Sequence, residues 1–343
     1  MSIQLALSKV LEFQNLSPSE MQDAMQAVMS GQLTDAQIGG FLVGLRMKGE
    51  TVEEIAAAAS VMRGLSSKVS VSAEHLVDTC GTGGDGSKLF NVSTASAIVA
   101  AAAGARVAKH GNRSVSSKSG SADVLEAAGV HLDLDASQVA RCIDTVGVGF
   151  MFAPAHHSAM KHAIGPRKEL AARTIFNLLG PLTNPAGAPN QVLGVFSNQW
   201  VRPLAEVLKN LGSEHVLVVH SEDGLDEISV AAQTHVAELK DGDIKEFVIT
   251  PEEFGLTRRP LSELMVSTAQ DSLSLINTAF SDGEHVGADM VSLNSGAAIY
   301  ASGVASGLKQ GVEMAQDAIG SGLAKAKLAE LAEFTQTVKR VDE

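Results

Sequence analysis

The chain has 343 residues, of which 45% are hydrophobic, so it can bury the cores of two domains. Its net charge of −13 argues against nucleic acid as a partner and means that an anionic ligand must be held by a local cluster of cations. Two cysteines, Cys80 and Cys142, have no metal-ligand spacing, and the sequence shows no signal segment or long apolar run. We therefore expect a soluble enzyme of the reducing cytoplasm, without a membrane partner.

Residues 1–66 predict a small helical domain. Three helix starts carry a capping box, in which the N-cap hydroxyl and the N3 side chain bind free amides: Ser17 with Glu20, Thr34 with Gln37, and Thr51 with Glu54. Glycines fall where these helices should end, at Gly31, Gly49 and Gly64, and another helix is expected near residues 3–12. The apolar run at residues 38–45, IGGFLVGL, is either a dimer surface, through Phe41 and Leu45, or a face packed on the rest of the chain.

Residues 70–343 alternate short β-rich runs with helical ones, which predicts an α/β domain with a mainly parallel central sheet. The segment from Lys240 to Asp243 predicts a hairpin turn, so the runs on either side of it should pair antiparallel. Helical spacing returns at residues 311–334. Helices near residues 165–185 are expected to join the N-terminal domain.

A glycine loop follows the first predicted strand, with GxGxxG at Gly81, Gly83 and Gly86. A P-loop is excluded because Ser87 precedes Lys88, the reverse of the P-loop order. A dinucleotide fingerprint needs an acidic residue about 20 positions later, where this chain is basic. Asp85 within the loop would repel a bare diphosphate, so the loop is predicted to bind a phosphorylated ligand that carries a metal ion.

Two further polar blocks are predicted to bind anions. Asn91, Ser93 and Thr94 open the helix after the glycine loop, where free amides and the helix dipole favour phosphate. The next strand leads into KHGNRSVSSKSGS, residues 109–121, which concentrates cations and serines in an acidic protein. Because this block follows a strand beside the glycine loop, it favours a ligand site over a solvated loop.

An adjacent acid pair, Asp226 and Glu227, follows another buried-looking strand. Neighbouring carboxylates repel each other, and Mg²⁺ shared with a phosphorylated substrate would explain the pair. A surface turn is the alternative, but the phosphate site inferred nearby favours the metal.

These blocks together resemble the anthranilate phosphoribosyltransferase family. The resemblance covers essentially the whole chain and rests on GTGGDG, NVSTA, KHGNRS, RTIFNLLGPLTNP (residues 173–185) and DGLDE. It implies a nucleoside-phosphorylase-like fold that usually dimerises through its helical domain. It also implies transfer of a phosphoribosyl group from phosphoribosyl pyrophosphate (PRPP) to the amine of anthranilate, the second step of tryptophan biosynthesis from chorismate.

Carried over to this chain, the resemblance assigns three sets of residues and Mg²⁺, with two ions per monomer. The donor would be held by Gly81, Gly84, Asp85, Asn91, Ser93, Thr94, Lys109, Ser117 and Ser121. Anthranilate would contact Gly81, Asn112 and Arg167, with His110 and His157 beside it, and Ser93, Asp226 and Glu227 would serve the metals. No catalytic acid or base is assigned, because the anthranilate amine is already a neutral nucleophile at pH 7.

The chain departs from the family pattern at Leu89, where many members have threonine, and at HHSAM, residues 156–160, where His-Pro is commoner. A pyrimidine nucleoside phosphorylase is the second interpretation, but that family is longer and does not need the acid pair or Arg167. Relatives that bind nucleic acid are a third, disfavoured by the acidic charge; a positive, salt-dependent DNA shift assay would revive it.

Overall fold

The computed structural model describes residues 2–71, 74–113 and 120–342. Its N-terminal part consists of helices α1 (Ile3–Leu11), α2 (Pro18–Met29), α3 (Asp35–Lys48) and α4 (Val52–Leu65). All three predicted capping boxes are present. Gly31 and Gly49 follow the ends of α2 and α3 with positive φ, as predicted. The prediction for Gly64 is wrong: α4 runs through it to Leu65, because glycine inside a helix costs only about 1 kcal/mol relative to alanine.

The apolar run on α3 is mostly core. Phe41, Leu42 and Leu45 are completely buried, so the prediction of a dimer surface through Phe41 and Leu45 is wrong. These side chains belong to a core that also contains residues of α2, α4 and one face of the sheet. Four short helices cannot hide such a face alone, and the rest of the chain covers it.

The remaining elements build an α/β layer structure. The strands are β1 (Leu76–Gly81), β2 (Arg106–Gly111), β3 (Val148–Phe152), β4 (Asn190–Gly194), β5 (His215–Ser221), β6 (Thr234–Lys240) and β7 (Asp243–Ile249). The helices are α5 (Val92–Ala102), α6 (Ser121–Ala127), α7 (Ala136–Val146), α8 (Ala153–His156), α9 (Lys161–Leu170), α10 (Ile175–Leu179), α11 (Val201–Asn210), α12 (Ala269–Ala279), α13 (Val286–Ala301), α14 (Leu308–Gly320) and α15 (Leu323–Asp342).

The strands form one sheet in the order β3-β2-β1-β4-β5-β6-β7. The first five strands pair in parallel, and the last two pairings, β5 with β6 and β6 with β7, are antiparallel, which confirms the mainly parallel sheet. Lys240 pairs with Asp243 across a two-residue turn in which Asp241 and Gly242 both have positive φ, so the predicted hairpin is also confirmed. The chain order changes direction between β1 and β4, the position at which open α/β sheets bind ligands.

Helices cover both faces of the sheet. On β5, Leu217 and Val219 face the core that contains α5 and α13, whereas Val216 and Val218 face the core shared with α11 and the N-terminal helices. The N-terminal bundle packs on α9, α10 and α11. The helical segment predicted at residues 311–334 is two helices, α14 and α15, separated at Ser321 and Gly322. Within the described ranges, no helix has the length and apolarity needed to cross a bilayer.

Candidate active site

The candidate site lies where β1 and β4 end side by side. Gly81 pairs with Gly194 in the sheet, and the chain at Asp226 crosses both. A Cβ atom at Gly81 would stand 2.3 Å from Asp226 Oδ2, and one at Gly194 would stand 1.6 Å from the Asp226 carbonyl oxygen. Glycine at both strand ends therefore lets the acid pair reach the glycine loop.

The glycine loop wraps around Asp226. The Gly83 amide donates to Asp226 Oδ2 at 2.8 Å, and Asp85 Oδ1 accepts the Ser87 amide at 3.1 Å. Gly83, Gly84 and Gly86 all have positive φ, which the loop needs to turn this tightly. Its far end is fixed by the Phe90 amide, which donates to the Leu264 carbonyl at 2.9 Å.

Three carboxyl groups meet at this loop. Desolvation raises the pKa of Asp226 to about 7, and the charge of Asp85 adds to the shift. Desolvation and the neighbouring charge of Asp226 also raise the pKa of Glu227 well above its ordinary value. Like charges held together in a poorly solvated place are unfavourable unless a cation binds them. The predicted acid pair is thus brought to the glycine loop rather than left on a surface turn.

Lys109, at the end of β2, is buried beside the acid pair. Its ammonium donates to the Thr79 carbonyl at 2.6 Å and to Ser93 Oγ at 3.1 Å, and only 3% of the residue is exposed. Burial lowers the pKa of Lys109, while the charges of Asp78 and Glu227 oppose that shift. The structure therefore brings Lys109, Ser93 and Glu227 together, as the predicted donor and metal sets require.

The N-terminus of α5 faces the same region. Asn91 is the N-cap and accepts the Thr94 amide at 3.0 Å. Ser93 is partly exposed, whereas Thr94 is buried with Ala95 and Ile98 next to α6 and α12. Thr94 Oγ1 has no hydrogen-bond partner among the described residues. Asn91 and Ser93 are thus more accessible to a ligand than the Thr94 side chain.

His110 and His157 form a buried pair with ring centroids 5.1 Å apart. Burial lowers the pKa of His110 to about 3 and that of His157 to about 4, with a smaller contribution from neighbouring cationic groups. Both imidazoles are therefore neutral at pH 7. Nε2 of each ring lacks a hydrogen-bond partner within the described part of the chain, which suits the wall of a pocket.

The predicted residues after β2 are only partly described. Asn112 is exposed, and its carbonyl accepts Ser121 Oγ at 3.2 Å. A Cβ at Gly111 would lie 2.3 Å from Ser121 Oγ, so this glycine admits the start of α6. Ser117 lies outside the described residues. Asn112 and Ser121 are therefore neighbours at the edge of the site.

Arg167 lies on α9, which packs on α2 and α3. Its guanidinium stacks on the Phe176 ring at 5.1 Å, and burial lowers its pKa. Among the described residues, no carboxylate lies within ion-pair distance of it. A half-buried cation without an anionic partner fits the predicted role of binding a carboxylate.

Several residues that support the site were missed from sequence. No motif in the sequence marks Gly194. Asn184, in the Arg173–Pro185 segment, donates to the Ala108 carbonyl at 2.8 Å. Arg173 donates to the Gly84 carbonyl. Both hydrogen bonds join positions at least 76 residues apart, and of the three residues only Asn184 and Arg173 fall in a sequence motif, that of residues 173–185.

One cavity lies away from this site. It has a volume of about 530 Å³ and lies at the opposite edge of the sheet, lined by His75, Asn190, His215 and Lys240 among others. It contains none of the predicted site residues. The functional assignment therefore depends on the chemistry at the carboxyl ends of the strands rather than on cavity size.

Sequence comparison assigns both parts of the chain to known families. Residues 4–66 match the helical bundle domain of the glycosyl transferase family, and residues 73–325 match its a/b domain. An anthranilate phosphoribosyltransferase of Marinomonas sp. (strain MWYL1) is 64% identical over 98% of both chains, and one of Hahella chejuensis is 63% identical over 99% of both. The chain belongs to the anthranilate phosphoribosyltransferase family.

Solved structures of this family have the same fold as this chain. The anthranilate phosphoribosyltransferase of Thermus thermophilus superposes with a TM-score of 0.91 at 43% identity, covering 96% of this chain and 99% of that one. The Saccharomyces cerevisiae enzyme in complex with PRPP and Mg gives a TM-score of 0.88 at 27% identity, covering 98% of each chain. The helical bundle and the mainly parallel α/β domain are thus the architecture of the family.

Proposed function

We infer that this protein is an anthranilate phosphoribosyltransferase, which transfers the phosphoribosyl group of PRPP to anthranilate in tryptophan biosynthesis. In this reaction the bond between the anomeric carbon and pyrophosphate breaks, the anthranilate nitrogen bonds to that carbon, and the nitrogen loses one proton. The observation that carries the inference is the meeting of Asp226, Glu227, Lys109 and Ser93 at the glycine loop. The sequence identity of 63–64% to enzymes of that name, over nearly the whole chain, supports it.

The donor is proposed to bind at the glycine loop, the N-terminus of α5 and Lys109. Its phosphates would meet loop amides, the hydroxyl of Ser93 and the Lys109 ammonium, all of which stabilise negative charge. Gly81, Gly84, Asp85, Asn91, Thr94, Ser117 and Ser121 complete the proposed donor set. Because negative charge grows on the departing pyrophosphate, fixed donors positioned there would lower the barrier.

The residues fit Mg²⁺. Asp226, Glu227 and Ser93 offer only oxygen ligands, which Mg²⁺ prefers. Desolvation and mutual repulsion raise the pKa of both carboxyl groups, and a bound cation would offset these effects. Among the described residues, no group of three or more His, Cys, Asp or Glu side chains is arranged to hold a metal ion by itself, so phosphate and water would complete the coordination. Mg²⁺ would neutralise charge on the pyrophosphate, and we propose two ions per monomer.

Anthranilate is proposed to lie between Arg167, Asn112, Gly81 and the histidine pair. Arg167 would bind the carboxylate through two parallel hydrogen bonds. His110 and His157, neutral because burial lowers each pKa, would form pocket walls. Neither is required as a base, because the aromatic amine is uncharged at pH 7. Orientation of the amine towards the anomeric carbon is then the main contribution of these residues.

We also propose a cytoplasmic homodimer formed by the helical domain, residues 1–66 with help from the helices near 165–185. Residues 70–343 would form the donor-binding domain.

The proposed dimer surface is the exposed stripe of α3, which consists of Ala36, Gly40, Val43 and Met47 at helical spacing. Val43 is 39% exposed and Met47 is 68% exposed. Val43→Glu with Met47→Glu should give folded monomers by light scattering, whereas Leu323→Glu, at an exposed position of α15, should remain dimeric. A dimeric double variant would refute this surface.

The activity is tested by anthranilate fluorescence. The signal should fall only when PRPP and Mg²⁺ are both present. Loss without either one, or no loss with both, would refute the proposed function. Thymidine with inorganic phosphate, followed by chromatography, should give no free thymine; release of thymine with formation of the sugar 1-phosphate would favour the phosphorylase interpretation.

A further inference from the structure

Arg173 joins the glycine loop to the rest of the molecule. It lies in the turn between α9 and α10, two residues after Ala171, whose φ of +46° is unusual for a residue with a side chain. Arg173 Nη2 donates to the Gly84 carbonyl, and the guanidinium stacks on the Phe196 ring at 4.4 Å. The side chain thus contacts a loop 89 positions away in sequence.

The other contacts of this arrangement lead to the same loop and to the helical bundle. The Phe196 amide donates to Thr82 Oγ1 at 3.0 Å, so the ring under the guanidinium is itself bound to the glycine loop. On the opposite side, Nη1 of Arg46 on α3 donates to the Arg173 carbonyl. One arginine therefore connects α3 with the donor loop.

Gly84 is shaped for this contact. Its φ is +76°, and a Cβ there would lie 3.3 Å from Arg173 Nε. The adjacent bond, from the Gly83 amide, uses Asp226 Oδ2, an atom of the residue proposed to hold Mg²⁺. The bond from Arg173 uses none of the proposed metal ligands, so it can hold the loop whether or not a metal is bound.

We propose that Arg173 is a positioning residue that fixes the glycine loop in the conformation that binds the donor, with Arg46 anchoring Arg173. The guanidinium is suited to this task because its planar face stacks on Phe196 while an edge donates to the carbonyl. The proposal rests on the proposed function, since it assigns Arg173 to the donor half of that reaction.

The test compares Michaelis constants for the two substrates. Arg173→Met keeps an apolar stem but removes the donors, and it should raise the KM for PRPP about tenfold while changing the KM for anthranilate less than about twofold. Arg173→Lys should restore part of this loss, because it keeps the charge but not the planar group. Arg258→Met, which removes an exposed arginine paired with Glu252, is the matched control and should behave as wild type.

Arg46 supplies a second test. Arg46→Met should raise the KM for PRPP less than Arg173→Met does. It should add nothing in an Arg173→Met background, because the position of a missing side chain no longer matters. Additive effects in the double variant would refute the anchoring role of Arg46.

Two outcomes would overturn the role of Arg173. One is an unchanged KM for PRPP in Arg173→Met; the other is equal loss for both substrates together with a lower melting temperature, which indicates general structural damage. Wild-type protein is assayed in parallel. If it makes no product, the proposed function itself fails, and the stabilisation of each variant by PRPP with Mg²⁺ in thermal unfolding then decides the role of Arg173.

Discussion

The N-terminal bundle and the glycine-loop site both hold carboxylates at least partly out of water, but they balance the negative charge in different ways. Glu54 on α4 is fully buried and fully paired: Lys48 lies 2.8 Å away, and the Leu16 and Thr51 amides donate to its oxygens. Asp226 and Glu227 instead lie beside Asp85, with raised pKa values. A buried carboxylate with a close cation serves the fold, whereas acids held close to one another mark the place where a ligand should bind.

The largest expected effect comes from neutralising the acid pair, Asp226 and Glu227. Asp226→Asn with Glu227→Gln should lower turnover at least about a thousandfold, because the proposed metal loses its anchor. Folding should survive, since removing mutually repelling charges costs little. Initial rates over a range of Mg²⁺ concentrations, with circular dichroism, test this.

Glu222→Gln is the matched control, because Glu222 is an exposed carboxylate near the same turn. It should keep wild-type turnover. Near-normal activity of the double variant at limiting Mg²⁺ would contradict the metal assignment.

For the ion pair of Lys48 with Glu54 we expect the reverse, a loss of stability without a loss of activity. Lys48→Met leaves Glu54 buried without its cation and should lower the free energy of unfolding by about 3 kcal/mol, with kcat/KM unchanged in the protein that remains folded. Urea unfolding measures the first quantity and initial rates the second. Lys9→Met, which breaks a more exposed pair with Glu20, should cost clearly less; equal losses would show that burial of the pair is unimportant.

Local patterns in the sequence predicted the bundle and the hairpin well. The capping boxes and the Asp241–Gly242 turn are formed by residues within four positions of one another, so the local sequence is enough to predict them. Gly64 misled because one glycine is too weak a signal to end a helix. Phe41 and Leu45 misled because an apolar face does not say which surface covers it.

The candidate site could be predicted in its residue types but not in its assembly. Motifs singled out Lys109, Ser93 and the acid pair, and the fold brings them together. The need for Gly194 under Asp226, and for Arg173 over Gly84, arises from close approaches between distant segments. No local pattern encodes such an approach, so only the structure reveals it.

Arg167 is the cationic counterpart of the acid pair, a charged side chain partly out of water that is proposed to bind a ligand. Because it is half-buried without a carboxylate partner among the described residues, Arg167→Ala should raise the KM for anthranilate about ten- to a hundredfold and leave the KM for PRPP nearly unchanged. Lysine at this position should rescue only partly, since a point charge cannot form two parallel bonds. Separate titration of each substrate decides the role.

Lys168→Ala, a change in the exposed neighbouring residue, provides the control and should leave both constants as in wild type. A defect of Arg167→Ala that falls on PRPP would show that this arginine does not bind the anthranilate carboxylate.

The smallest expected effect concerns the histidine pair and the pH dependence of stability. The pKa values of His110 and His157 are lowered to about 3 and about 4 by burial, so the unfolded chain binds protons that the folded protein does not. Stability from these groups is therefore complete above about pH 6.5 and is lost as the pH falls towards 4. At pH 5 the loss should be about 1 kcal/mol per histidine, allowing for partial hydration.

Urea unfolding at pH 7 and pH 5 measures this loss. The difference in the free energy of unfolding between the two pH values should be smaller for His110→Gln and for His157→Gln than for wild type. The raised pKa of Asp226 acts in the opposite direction, but it is common to all these proteins and cancels in the comparison. His162→Gln, a change at the partly exposed histidine of α9, should retain the full wild-type difference. If the buried-site variants retain it as well, burial does not lower the pKa of these imidazoles, and the pocket walls are charged at pH 5 in the folded protein.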